Sequence, residues 1–189
     1  MPFPQANDSS KQKLPNSVRP ALPSDASVIA ALQVQSLAEK IVKATEVPLK
    51  PSTKALLDVD NFTQTWTETI QSLHPDQHVL LAVSNEKIHG FLSIARTPDE
   101  GDISKFEITN FEIDSRFSGM GHETRMLAAV TDIVHSTHSQ AELYLWVFQS
   151  DEVLPRLLTE VGFAPAGMQR EFEIDSQQVI QHLWWTTLE

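Results

Sequence analysis

The sequence predicts a mixed α/β (α+β) domain of about seven strands and four helices in the order β-α-α-β-β-β-α-β-α-β-β, over residues 17 to 189. Three observations carry this reading. Short apolar stretches with a period near two alternate with longer ones at helical spacing. From Ile103 to Ala129 a strand, a glycine loop and a helix follow one another without a linker. A chain of 189 residues, 41% hydrophobic and 21% charged, suits one soluble domain with a full core and is only marginally long enough for two.

Taken in order, Ser17 to Ala21 reads as a short edge strand, because Pro20 has no N–H to give to a ladder. Ser24 is the natural N-cap of a first helix, with Val28, Ile29, Leu32, Leu37 and Ile41 at roughly helical spacing up to about Ala44. Pro48 and Pro51 make residues 45 to 59 a loop, with at most a helical turn at Thr53 to Leu57. Asp60 caps a second helix whose stripe of Phe62, Trp66, Ile70 and Leu73 ends before Pro75. His78 to Val83 and Ile88 to Ala95 flank the turn Ser84 to Lys87 as an antiparallel hairpin. A longer turn, Thr97 to Asp102, leads into the next strand, which ends at about Ile113.

The helix after the glycines runs to about Ser136, with Met120, Leu127, Val130 and Val134 along one side. Leu143 to Phe148 is apolar on both faces and so suits a central strand buried on both sides. Glu152 to Val161 is a short helix with Gly162 at its C-cap, and Met168 to Ile174 and Val179 to Thr186 close the chain as a hairpin around Asp175 and Ser176. Trp184 and Trp185 point to opposite faces of that last strand, so at least one is expected to be buried. Phe62, Trp66, Met126 and Met168 are assigned to the core.

Composition narrows the function classes. A net charge of −11 with only 14 Lys and Arg argues against a general nucleic-acid binder, whose affinity comes from basic side chains. Without cysteine there is no disulfide, thiolate nucleophile or Cys-ligated metal, which fits the cytoplasm. No apolar run approaches the length that crosses a bilayer. The first 16 residues, with Pro2, Pro4 and Pro15 and no apolar central region, read as a disordered leader rather than a signal peptide. His135 and His138 share a helical face, but with no third ligand in view a metal site is not assigned.

Chemistry is best placed at the glycine loop. Gly119 and Gly121 have no Cβ, so a phosphate can approach the backbone closely, and the first N–H groups of the following helix have no intrahelical partner. This is the best anion site in the sequence. Glu107 and Glu112 on the preceding strand are the candidate bases; being an odd number apart, they are expected on opposite faces, so that only one meets an acceptor.

The element order, with Arg116-Phe117-Ser118-Gly119-Met120-Gly121 between the fourth strand and the third helix, resembles the GCN5-related N-acetyltransferase (GNAT) superfamily. That loop is written in the superfamily as Arg or Gln, two residues, Gly, one residue, then Gly or Ala. Three further stretches share the likeness: Ser17 to Ala26, Glu86 to Phe91, and Leu145-Trp146-Val147 followed by Leu157-Leu158 and Gly162-Phe163.

The resemblance implies a mixed, mainly antiparallel sheet that splays between the fourth and fifth strands, with acetyl-CoA as co-substrate in the opening. The amides of Phe117, Ser118, Gly119, Met120, Gly121 and His122 would hold the pyrophosphate, and the edge from Phe111 to Ile113 would pair with the pantetheine arm. Arg116, Arg125 and Arg156 are the candidate phosphate contacts, and Asp151 stands where relatives often have Asn. Relatives place a base or water-bridging carboxylate early on the fourth strand, which favours Glu107 over Glu112.

The chain departs from the pattern at Leu158, where many relatives carry the Tyr that protonates the departing thiolate. The single tyrosine, Tyr144, is assigned a core role, and Pro155 is expected to delay the start of its helix. The implied function is transfer of an acetyl group by direct attack of a primary amine on a small molecule or peptide. A non-catalytic GNAT-fold module that binds acyl-CoA or a partner, and a plain interaction domain, stay open beside it. In the superfamily the acceptor is recognised by loops corresponding to residues 45 to 60 and 174 to 180, whose Glu46, Asp58, Asp60 and Asp175 would suit a cationic acceptor. The last strand, with Trp184 and Trp185, is a candidate support for a homodimer; no membrane partner is implied.

Overall fold

The computed structural model describes residues 16 to 98 and 101 to 188. Apart from Asn16, the expected leader at residues 1 to 16 lies outside the described residues, as do Asp99 and Glu100 of the expected Thr97 to Asp102 turn. The strands are β1 (Ser17–Pro20), β2 (Gln77–Ser84), β3 (Lys87–Arg96), β4 (Ser104–Ile113), β5 (Ala141–Phe148), β6 (Ala164–Ile174) and β7 (Gln177–Leu188). The helices are α1 (Ala26–Thr45), α2 (Pro51–Leu56), α3 (Val59–Gln71), α4 (His122–Thr137) and α5 (Leu154–Glu160). One sheet runs β1-β2-β3-β4-β5-β7-β6, and every neighbouring pair is antiparallel except β4 with β5. That is the mixed, mainly antiparallel seven-stranded sheet the sequence led us to expect.

Alternation along β2 shows how the two faces are covered. Leu80 and Ala82 join Met126, Leu127, Val130 and Val134 of α4 and Leu158 of α5 in one cluster. Their neighbours Val79 and Leu81 join Ile29 and Ala30 of α1 and Trp66 and Ile70 of α3 in the other. There Trp66 meets the ring of Phe91 edge-on, with centroids 5.3 Å apart.

Several local expectations are corrected, each for a physical reason. Asp25 accepts both guanidinium nitrogens of Arg19, at 2.7 and 2.9 Å, and the Leu22 amide at 2.8 Å. That holds Pro23–Asp25 in a 3₁₀ turn, so α1 starts at Ala26 and not after Ser24. Asp58, not Asp60, caps α3: its backbone is extended and its carboxylate accepts from the Asn61 amide at 2.8 Å. The helix α2 exceeds the single turn expected, since Pro51 fits its first position and Asp175 accepts from Lys50 N–H just before it.

Because α4 starts at His122, Met120 belongs to the loop and is 59% exposed; Met168, on the edge strand β6, is equally exposed. Strand β5 is central but buried on one face only: Ala141, Leu143, Leu145 and Val147 are buried, whereas Tyr144, Trp146 and Phe148 are half-buried. Tyr144 is therefore not in the core; it donates to Glu142, and burial pushes its hydroxyl up to about 12. Trp184 and Trp185 are both half-buried, on β7, which lies between β5 and β6 in the sheet.

One glycine is fixed by close approach. Strand β3 carries an extra residue, His89, between the pairs Val83–Ile88 and Ala82–Gly90. This presses Gly90 onto β4, where a Cβ would lie 2.3 Å from Ile113 Cδ1 and 2.6 Å from the Glu112 carbonyl oxygen. Gly90→Ala is expected to cost about 1–3 kcal/mol through overpacking against backbone. A urea titration checks this: the midpoint falls while the slope stays unchanged.

Candidate functional site

Strands β4 and β5 pair only over Ser104–Ile108 with Ala141–Leu145. Beyond Ile108 they part, and among the described residues the second half of β4 has no partner strand on that side. The opening is a cleft of about 540 Å³ lined by α1, β4, β5, the start of α5 and β6. It continues into a smaller cavity of about 120 Å³ lined by Glu112, Ile113, Ser118, Glu123 and the side chains Val153, Leu154 and Leu157. Lys40, Phe111 and Glu112 line both spaces and mark the junction.

Strand β4 is bulged. Ser93 lies opposite Asn110, but Ile94 lies opposite Ile108, so Thr109 is an extra residue, held by its hydroxyl 2.7 Å from Ser93 Oγ. Inserting one residue reverses the alternation. Phe106 and Ile108 face the α4 side before the bulge, and Phe111 faces it after. Glu107, opposite Ala95, and Glu112, opposite Phe91, consequently share the other face and line the same cleft. Glu107 and Glu112, expected on opposite faces from their odd spacing, therefore share one face.

The two glutamates differ in their surroundings. Glu112 is buried and accepts from Ser36 Oγ and Lys40 Nζ of α1. Lys40 Nζ also lies 3.4 Å from the Phe111 carbonyl oxygen. A strand residue directs its N–H and C=O to the same edge, so the Phe111 amide faces the opening too. Glu107 is half-buried, and its carboxylate has no hydrogen-bond or ion-pair partner among the described residues. One helical turn before Ser36, Gln33 of α1 donates to Asn110 at 2.8 Å and accepts from Trp66 Nε1 at 2.7 Å, bracing α1 against the bulge.

At the glycine loop, three of the six amides named from the sequence are engaged internally. Phe117 N–H bonds Asp114 O, Met120 N–H bonds Phe117 O, and Gly119 N–H donates to Glu123 Oε1 at 2.9 Å. Glu123, buried in the first turn of α4, also accepts from Ser118 Oγ at 3.0 Å. A carboxylate thus already sits against donors that suit an anion. The amides of Ser118, Gly121 and His122 have no hydrogen-bond partner among the described residues. Arg116 is turned back onto the buried Asp114, Nε to Oδ1 at 2.9 Å. Arg125 lies under the loop, with Nη2 donating to His122 Nδ1 at 3.1 Å and Nε buried without a partner among the described residues. Arg156 is exposed on α5.

Two histidines the sequence did not single out together lie beneath this loop: the rings of His89 and His122 are 5.1 Å apart, and Phe117 covers His89 at 4.0 Å. Burial, then the nearby Arg125 and His89, hold His122 below its ordinary value. The hydrogen bonds from Arg116 do the same for Asp114. Both are depressed values, so each group contributes stability that is complete above its unfolded pKa and lost as pH falls. Melting temperature is expected to begin falling below about pH 6.5 and again below about pH 4. His78, also depressed by burial, adds to the first step, so replacing His122 by Gln should weaken that step without removing it.

At the far end of the cleft, Arg170 of β6 stacks over Trp146 of β5, 4.5 Å from the ring centroid. Its Nε donates to the buried Gln181 at 2.6 Å. Neither Arg170 nor Trp146 was marked by the sequence as a site residue; Trp146 follows the last β5 residue paired with β4, and Arg170 reaches it from β6, two strands away in the sheet. The acidic loops are used structurally: Asp175 accepts from Lys50 N–H at 2.8 Å and from Thr53 Oγ1, and Asp58 caps α3, while Glu46 and Asp60 remain exposed. Asp151 accepts from the Val153 and Leu154 amides at 3.0 Å, so α5 starts at Leu154 and Pro155 falls in its first turn without loss. Leu158 is fully buried, and no acid stands in its place. His138 approaches Asp76 at 3.9 Å and His135 is exposed, so the two do not converge.

No protein-family model matches the sequence, and no curated protein matches it. Solved structures do resemble the fold. A GNAT-family acetyltransferase from Streptococcus pneumoniae is 20% identical, with a TM-score of 0.65 over 93% of this chain and 100% of that one. A ribosomal-protein-alanine N-acetyltransferase from Brucella melitensis is 15% identical, with a TM-score of 0.67 over 90% and 98%. The PaiA N-acetyltransferase from Thermoplasma acidophilum, solved with coenzyme A, is 13% identical, with a TM-score of 0.63 over 89% and 98%. The chain has the GNAT fold. Among the described residues no helix is long and apolar enough to cross a membrane.

Proposed function

We propose that this chain is a cytoplasmic acetyl-CoA-dependent N-acetyltransferase that acetylates a primary amine by direct attack. The observation that carries the reading is the splay of β4 from β5 immediately beside the Gly119–Gly121 loop. It joins an unpaired strand edge to a set of unpartnered amides, and the GNAT fold of the chain supports the same assignment. The pyrophosphate lies on the Ser118, Gly121 and His122 amides, with Arg125 beneath them. Asp151 lines the smaller cavity beside the loop, and Arg156, exposed on α5, is a further candidate phosphate contact. The pantetheine arm runs along Phe111 to Ile113, and the thioester carbonyl takes the Phe111 N–H.

The amine enters from the larger cleft. Its nitrogen bonds the acetyl carbon, the C–S bond breaks, and the proton lost by nitrogen passes to Glu107. With leucine at 158, the departing thiolate takes its proton from water. Lys40 and Ser36 keep Glu112 in place at the junction and so position the strand edge.

A ligand that binds only the folded chain raises its melting temperature. Acetyl-CoA is expected to do so, and thiol release with a panel of amines then reports turnover. No shift at millimolar acetyl-CoA would refute cofactor binding. The second reading, a non-catalytic acyl-CoA-binding module, is favoured by the buried Leu158; a shift with no thiol release from any amine would select it.

A further inference from the structure

We propose that the amine acceptor is zwitterionic: a small primary amine whose own skeleton carries an acidic group, such as a carboxylate. The proposal rests on the acetyltransferase reading and adds the substrate class. It comes from accounting for every charge that lines the larger cleft.

Four carboxylates and two cations face that cleft: Glu107, Glu112, Asp151, Glu171, Lys40 and Arg170. Most are spoken for. Lys40 and Glu112 pair with each other. Asp151 caps α5, and Glu171 accepts from Gln169 Nε2 at 2.8 Å and Gln178 Nε2 at 2.6 Å on the exposed strand pair.

Asp151 and Glu171 keep their charge, but neutral donors engage their carboxylates; left without a hydrogen-bond or ion-pair partner among the described residues is one charged group of each sign. Arg170 is fixed by Gln181 through Nε and by Trp146 through its face, and its Nη atoms have no hydrogen-bond or ion-pair partner among the described residues. A guanidinium held this way presents a planar pair of donors that matches a carboxylate. The Glu107 carboxylate likewise has no hydrogen-bond or ion-pair partner within 4.0 Å among the described residues. The two are close enough for Glu107 to act on the Arg170 charge, yet they form no ion pair within 4.0 Å.

Two opposite charges left apart across one cleft are complementary to a molecule that carries the same pair in reverse. The ammonium goes to Glu107, beside the splay where the thioester lies, and the acidic group goes to Arg170. Glu107 accepts the nitrogen's proton, the amine attacks, and the product is an N-acetyl acid with free CoA thiol. Of the acidic loop residues that would suit a purely cationic acceptor, Asp58 and Asp175 accept from Asn61, Lys50 and Thr53, and neither they nor the exposed Glu46 and Asp60 line this cleft.

The test uses the intact chain and acetyl-CoA, with thiol release as readout. Amino acids of different amine-to-carboxylate spacing are compared with their own amides and esters, with aminoalkyl phosphonates, and with polyamines. At least one acid-bearing amine is expected to exceed its own amide about tenfold in kcat/KM, and the phosphonate arm distinguishes carboxylate from phosphonate acceptors. Arg170→Gln should collapse that preference to within about threefold, mainly through KM, and Arg170→Lys should restore part of it. Amides or polyamines turned over as well as the acids would overturn the proposal, as would an unchanged preference in Arg170→Gln. If no amine is turned over, calorimetry with CoA present decides: acid-bearing amines must bind and Arg170→Gln must lose them, and absence of binding overturns it. Failure of the acetyl-CoA melting shift instead removes the acetyltransferase reading itself.

Discussion

Gly119→Val is expected to abolish the rise in melting temperature that acetyl-CoA gives the unmodified chain. Gly119 has φ +75°, in the left-handed region, and a Cβ built there meets nothing within 4 Å. A side chain there has open space at its Cβ, and in the proposed site that space is the path by which a phosphate reaches the Ser118 and Gly121 amides. At a ligand concentration one hundred times Kd the unmodified chain gains about 2.7 kcal/mol. A hundredfold loss of affinity would leave about 0.4 kcal/mol of that.

Backbone strain alone accounts for about 1–2 kcal/mol in either state, so it lowers the starting melting temperature without removing a shift. Gly162→Val separates the two effects. Gly162 also has positive φ and open space, but it ends α5 away from the loop. It should lose comparable stability and keep the shift. A full shift in Gly119→Val would place the pyrophosphate elsewhere.

Much of this arrangement was legible in the residues, and the limits have physical causes. The loop was readable because glycine spacing between a strand and a helix is a local signal, and the observed positive φ at Gly119 and Gly121 is what only glycine adopts cheaply. Element order was readable for the same reason: periodicity is a property of neighbours in the chain.

What failed depended on distant partners. The Thr109 bulge is set by register against Ser93 and Ile94, and nothing within β4 marks it. Helix starts moved because Arg19 captured Asp25 and Asp175 captured Lys50 and Thr53. Arg170 looked like any surface arginine until β6 was laid beside β7 and its guanidinium came to rest on Trp146. Glu123 was passed over because an acidic residue in a helix's first turn is ordinarily only a stabilising charge, and its bond to Gly119 N–H appears only once the loop is folded back.

The bulge also decides which glutamate should matter for chemistry. Glu107→Gln is expected to lower kcat by about 10²–10⁴, the usual yield of a positioned base, while the acetyl-CoA melting shift is retained. The replacement keeps shape and removes only the proton acceptor, so the loss should shrink as pH rises and more of the amine arrives neutral. Glu112 should behave differently. Its carboxylate is bonded by Ser36 and Lys40, and Glu112→Gln leaves the half-buried ammonium of Lys40 without its counter-charge. The expected result is a lower melting temperature, recovered in part by adding Lys40→Met, because an unpaired charge costs more than the pair contributes. If instead Glu112→Gln removes turnover while keeping stability, and Glu107→Gln does not, the roles are exchanged. The base would then lie at the junction of the two cavities and not at the start of the splay.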